Sequence, residues 1–157
     1  MGEDRAIRWV PVNGLPELPL GELNIIYTAS ENRLTVHAFF ADRSASFPQH
    51  EPPREGVIIE FENVQAFKVY AEFTDPIYAA GIDVPLLAHD VPYGGTWGFI
   101  QMINSSWIER LALRNAGWEA STASHWVIKS GDMVLHVASV PSLTPTFRGR
   151  IARSASA

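Results

Sequence analysis

The sequence predicts an α+β, mainly β, fold: a curved antiparallel sheet of about seven or eight short strands, with one packed helix at about 106–116. Three observations carry this. Short runs rich in Val, Ile, Phe and Tyr recur between turn residues. Most connections are too short for parallel crossovers, which need roughly a dozen residues or more. One stretch only, "NSSWIERLALRNAG", combines helical periodicity with end signals.

Taken in order, "IRWVPV" (7–12) reads as an edge strand, because Pro11 has no N–H for a ladder. "NIIYTA" (24–29) and "RLTVHAFFA" (33–41) flank the hairpin loop "SEN". Leu34, Val36, Ala38 and Phe40 share one face of the second strand, and Thr35, His37 and Phe39 the other. Residues 42–56 read as a long loop. In "VIIEFENVQAFKVYAEF" (57–73) the odd positions Val57, Ile59, Phe61, Phe67, Val69, Ala71 and Phe73 form an apolar face. Asn63 and Gln65 interrupt it, so a turn near Glu62-Asn63 divides the region into two strands.

Residues 74–96 are irregular, rich in Pro and Gly among apolar residues. Asp75 is placed to cap one helical turn that has Pro76 at its first position. A long loop of this kind either covers an open core edge or roofs a site. "WGFIQMI" (97–103) is a strand leading into the helix. Ser106 and Glu109 have the spacing of a capping box. Trp107, Ile108, Leu111 and Ala112 form the apolar stripe, and Gly117 ends the helix.

The last pair of strands is "HWVIKSGDMVLHV" (125–137), with a loop at Ser130-Gly131. This loop sets Lys129 opposite Asp132 and His125 opposite His136. Trp126, Ile128, Met133, Leu135 and Val137 then face the core. His125, Val127, Val134 and His136 fall on the outer, mixed face, the histidines half-exposed with Cβ atoms roughly 4.5–5.5 Å apart.

The 157 residues fit one ordinary domain, expected over 1–147, followed by a basic flexible tail, 148–157. That tail holds Arg148, Arg150 and Arg153 and no acid. The whole chain carries −5, so the rest is more acidic still. An acidic body disfavours nucleic acid, whose phosphates are bound by Lys and Arg. There is no cysteine, which removes disulfides, thiolate metal sites and cysteine nucleophiles together. No apolar run is long enough to span a membrane, and no signal peptide is evident, so a cytoplasmic protein is expected.

Chemistry-bearing residues are few. His125 and His136 are the one candidate metal pair. A transition-metal site needs at least three protein ligands, and the hairpin offers two. The reading is therefore a cross-strand pair, with no metal and no cofactor expected. "AHDVPYGG" groups His89, Asp90 and Tyr93 near Gly94-Gly95 as a polar loop tip or a weak acid–base pair. Glu60 and Glu62 share a strand face, as carboxylate pairs commonly do on solvated strands. Trp97 lies near an element end, where exposure would suit a binding surface. No G-x-S-x-G, H-E-x-x-H or G-x-G-x-x-G occurs, so no catalytic residue and no reaction can be named.

The order "FENVQAFKV", then "WGF" and "NSSWIERL", then "HWVIKSGDMVLHVAS" resembles small uncharacterised bacterial α+β proteins, some of them associated with toxin–immunity loci. The resemblance covers about residues 57–147 and rests on spaced aromatics, Asn104-Ser105 and His125. It implies no catalytic residues. Two functions stand against each other. One is a non-enzymatic protein-binding module, an immunity-type neutraliser of a basic partner. The other is a small-ligand-binding protein or enzyme with a pocket under the 74–96 loop. Pairing of two copies through an open strand edge is a third expectation.

Overall fold

The computed structural model describes residues 3–41, 55–88, 95–115, 117–140 and 143–152. In chain order these form β1 (Arg5–Arg8), β2 (Leu20–Thr28), β3 (Arg33–Phe40), β4 (Glu55–Phe61), β5 (Val64–Ala71), α1 (Pro76–Ala79), β6 (Phe99–Ile103), α2 (Ser106–Arg114), β7 (Ser124–Lys129), β8 (Met133–Ser139) and β9 (Thr146–Ala152). The fold is mainly β with antiparallel pairing throughout the named strands, as the sequence predicts. The strands form two sheets, in the orders β1-β6-β7-β8-β5 and β2-β3-β4-β9.

The sheets share one core. Leu34, Val36, Ala38 and Phe40 of β3 and Val57, Ile59 and Phe61 of β4 meet Phe99, Trp126, Ile128, Leu135 and Val137 of the other sheet. Alternating strand patterns allow this, since every second side chain points the same way. The two sheets close tightly at Gly98. A Cβ there would lie 2.4 Å from Leu20 Cδ1 and 2.9 Å from the Lys129 carbonyl oxygen.

The break near Glu62-Asn63 is real and larger than a turn within one sheet. Asn63 adopts a left-handed φ of 54°. The chain there leaves β4 in one sheet and enters β5 in the other. The apolar face read at the odd positions of 57–73 therefore does not carry through the crossing. Val64 and Phe67 still reach the core, but Val69 and Phe73 are exposed.

The expected tail is corrected over its first half. Residues 148–152 belong to β9, which pairs with β4 along Glu55–Glu60. Arg148 donates to both carboxylate oxygens of Glu60, at 2.9 and 3.2 Å, and Arg150 reaches Glu55 and the Asn13 carbonyl oxygen. The Arg148 guanidinium holds the Glu60 carboxyl below the usual range, with Arg33 adding to the effect. Glu60 thus anchors a strand. The basic residues make the stretch look like a solvated end, whereas Arg148 and Arg150 each answer an acid on β4; Arg153 lies outside the described residues.

The final hairpin is corrected in register and turn. Lys129 pairs with Val134, Val127 with His136, and His125 with Ala138. The loop is centred one residue later than expected, on Gly131-Asp132. Ser130 decides this: its Oγ donates to Asp132 Oδ1 and accepts from Met133 N–H. Gly131 N–H is held by the Leu20 carbonyl, so the glycine serves contact between the sheets. The shift amounts to two residues, so every side chain keeps its face. Trp126, Ile128, Leu135 and Val137 are in the core, as expected.

Candidate functional site

The outer face of the five-stranded sheet carries a second apolar cluster. Ile100 and Met102 of β6, Val127 of β7 and Val134 of β8 pack with Ile77 of α1, together with Ala6, Ile82 and Val84. The 76–84 segment thus lies over this face. Helix α2 lies beside it, with Ile108 buried. On the strands, His125 and His136 alternate with Val127 and Val134, so burial of one set buries the other.

Both histidines are buried, at 5% and 4% exposure, where the sequence reading has them half-exposed. The covering helices are the reason, and neither is visible from the hairpin alone. Each imidazole is satisfied inside a continuous polar chain. Ser105 Oγ lies 2.6 Å from His125 Nδ1. His125 Nε2 lies 2.8 Å from His136 Nδ1. His136 Nε2 lies 2.6 Å from Asp75 Oδ1. Asp75 is 2% exposed.

Chemistry fixes the direction of this chain when both imidazoles are neutral. An ionised carboxylate only accepts, so His136 donates from Nε2. Its Nδ1 then accepts, so His125 donates from Nε2. His125 Nδ1 accepts in turn from the Ser105 hydroxyl. Every group is satisfied with no proton left over, which is what burial demands. Burial pushes the His125 pKa well below its ordinary value, and the neighbouring His136 pushes it the same way.

The two ends of the chain are both helix N-caps. Asp75 caps α1 by accepting from Ile77 N–H at 3.3 Å. Ser105 caps α2 by accepting from Ile108 N–H at 3.2 Å. The capping box expected at Ser106 is therefore one residue late. Ser106 sits in the first turn instead, with its N–H and hydroxyl both donating to Asp4, at 2.7 Å each. Asn104 before the cap has φ 56°, which turns the end of β6 into the helix.

Between the two helices lies a cavity of about 550 Å³. His125 and His136 form part of its floor, and Ile77, Ala80 and Ile82 one wall. Trp107 and Arg110 of α2 and Tyr70 of β5 form the other sides. The Trp107 ring meets His125 edge to face at 4.8 Å, and Tyr70 meets His136 likewise at 5.3 Å. Aromatic edges thus hold the imidazoles from the side while hydrogen bonds hold them end to end.

The other sequence candidates lie elsewhere. Trp97 is 1% exposed; its Nε1 donates to the Trp9 carbonyl and the Arg8 guanidinium sits 3.8 Å above its ring. It is a core residue, not part of a surface. His89, Asp90 and Tyr93 lie outside the described residues. His37 lies on β3, in the opposite sheet. As a metal pair, His125 and His136 have all four ring nitrogens committed, two of them to each other. Among the described residues, no group of three or more His, Asp or Glu is placed to hold a metal ion.

Sequence reasoning finds Asp75 and the Asn104-Ser105 helix start as local structure and misses them as partners of the histidines. The available signal is weak: two histidines on a strand face that must be covered need partners, and capping residues are among the few that can supply them. The fold and the cavity together define a two-sheet antiparallel protein with a helix-walled pocket on one outer face. Comparison with known protein families, with curated proteins and with solved structures finds no match to this chain. No helix among the described residues is long and apolar enough to cross a membrane.

Proposed function

We propose that the protein binds a small molecule in the cavity between α1 and α2. One observation carries this reading: part of the cavity floor is the His125–His136 pair, held in a buried Ser-His-His-Asp chain, instead of apolar packing. Well-packed hydrophobic residues would fill such a face with equal or greater stability, so buried polar groups of this kind call for a purpose beyond folding. The volume suits a small ligand, and the lining combines aromatic walls with a few placed polar groups. The site lies under the 76–82 part of the segment expected to roof a pocket. A screen of small fragments against the isotope-labelled full chain, read by NMR, tests the proposal. Hits that shift Met102, Trp107, His125 and His136 together support it. A screen whose hits all map away from those residues overturns it.

A second reading, the protein-binding module, draws on a different surface. Phe73 and Tyr78 are 64% and 62% exposed and stack edge to face at 5.2 Å. Phe73 also holds a left-handed φ of 69°, which is costly for a bulky residue. Such an exposed aromatic pair suits a protein contact, and the acidic chain suits a basic partner. Affinity capture with the native chain and with Phe73→Ala/Tyr78→Ala tests it. A single basic protein held in stoichiometric amount by the native chain only is the expected result; identical capture by both excludes this surface.

A further inference from the structure

We infer that the molecule taken by the cavity is an anion, a carboxylate or phosphate joined to an apolar, ring-sized body. This rests on the cavity being a binding site and adds the chemistry of its occupant.

The charges around the cavity are one-sided. Its charged lining is Asp4, Lys68, Arg110 and Arg114. Asp4 is already spent on Ser106 at the start of α2. The three cations form no ion pair with a carboxylate among the described residues, where the ion-paired cations are Arg8, Arg33, Arg148 and Arg150. Elsewhere among the described residues, Arg8, Arg33, Arg148 and Arg150 are matched to acids, while Arg5 and Lys129 form no ion pair. Three of the five unmatched described cations thus line this one cavity.

Their placement is also specific. Arg110 and Arg114 are four apart on α2, hence neighbours on one helix face. Two like charges so placed repel, and an anion held between them reverses that penalty. Trp107 and Leu111 lie on the same helix face and line the same cavity. Lys68 approaches from β5 across the opening. Guanidinium groups bind carboxylate and phosphate oxygens through paired donors. Deeper in, Tyr70, Trp107 and Met102 offer apolar and aromatic surface but no further cation. Charged rim and apolar interior match a ligand with one anionic end.

The test titrates the full chain with 2-naphthoate and with neutral 2-naphthamide, reading NMR shifts and dissociation constants. Naphthoate binds at Trp107, Met102 and His125, and tighter than the amide. The double substitution Arg110→Gln/Arg114→Gln weakens naphthoate about tenfold or more and leaves the amide within about twofold. Lys68→Gln weakens naphthoate in the same sense, which provides an independent check if the double variant is poorly folded. Equal binding of acid and amide at the cavity, or naphthoate binding that ignores all three substitutions, overturns the anion inference and leaves the cavity reading standing. Absence of any shift at the cavity with either probe overturns both.

Discussion

His125 and His136 are joined nitrogen to nitrogen at 2.8 Å, although they lie on neighbouring strands two positions out of register. The diagonal offset lets the two rings meet end on, tilted 44° to each other, so that a hydrogen bond can bridge them. Directly opposed imidazoles would stand side by side. The offset is therefore what makes a continuous chain from Ser105 to Asp75.

That chain has a definite proton order. Both histidines should carry their proton on Nε2, with both Nδ1 atoms as acceptors. Long-range proton–nitrogen correlation spectra read this directly at pH 7.5. Detection of an Nδ1–H form for either residue would contradict the order derived above.

Cutting the chain should be expensive. His136→Ala leaves a buried carboxylate and a buried imidazole each short of a partner, at about 1–3 kcal/mol per group. Asp75→Ala orphans His136 and also removes the α1 cap, itself worth roughly 1 kcal/mol. Urea unfolding should show losses of about 2–5 kcal/mol for each variant. The double variant should lose less than the sum, because both substitutions break one network. Additive losses would mean the two residues act separately.

His125 sets a pH dependence. His125 has a folded pKa well below its ordinary value of 6.5, for reasons of burial first. Above 6.5 it is neutral in both states and contributes no slope. As pH falls below 6.5 the unfolded chain takes up the proton and the folded chain does not. Stability then falls, by up to about 1.4 kcal/mol per pH unit from this residue, until the folded pKa is reached. Denaturation midpoints measured from pH 7.5 to 5 should trace that decline. His125→Gln should flatten it; an unchanged slope would remove His125 as its source.

Closeness of the sheets can be probed without touching the site. Gly98→Ala would force a methyl group against Leu20 and the Lys129 carbonyl. Overpacking of this kind typically costs about 1–3 kcal/mol. Thermal unfolding should show a clear drop, with the cavity residues' spectra little changed. A neutral substitution would show that β2 can yield at that point.

The arginine-rich end offers a direct contrast. A frayed tail could be removed at no cost, whereas β9 pairs with β4 along most of its length. Deleting 148–157 should lower stability by at least about 2 kcal/mol, at roughly 1 kcal/mol net per lost hydrogen bond. It should also speed amide exchange in β4. Equal stability with and without these residues would restore the tail reading.

Much of the fold is legible in the sequence because it is local. The faces of β3, β7 and β8 follow from alternation, and alternation survives a register error of two residues. The Asp75-Pro76 turn and the helix after Asn104 follow from cap chemistry. What the sequence conceals depends on long-range pairing. Nothing near Glu62 says that β4 and β5 part into different sheets. Nothing near Arg148 says that Glu60 awaits it. Nothing in the hairpin says that the caps of two distant helices close over its histidines. The candidate site is hidden for that last reason: its four members come from three separate places in the chain, the caps of α1 and α2 and the final hairpin.

The capping roles at the two ends of the polar chain have a mechanical consequence. Ser105 and Asp75 are the feet on which α2 and α1 stand, and the imidazoles form a crossbar bolted between them across the outer face of the sheet. Neither helix can swing outward without stretching that bar and losing its own foothold. The gap between the helices is therefore a gauge of set width. A guest that fits it meets walls already spaced, and one that is too broad must unfasten both helices at once.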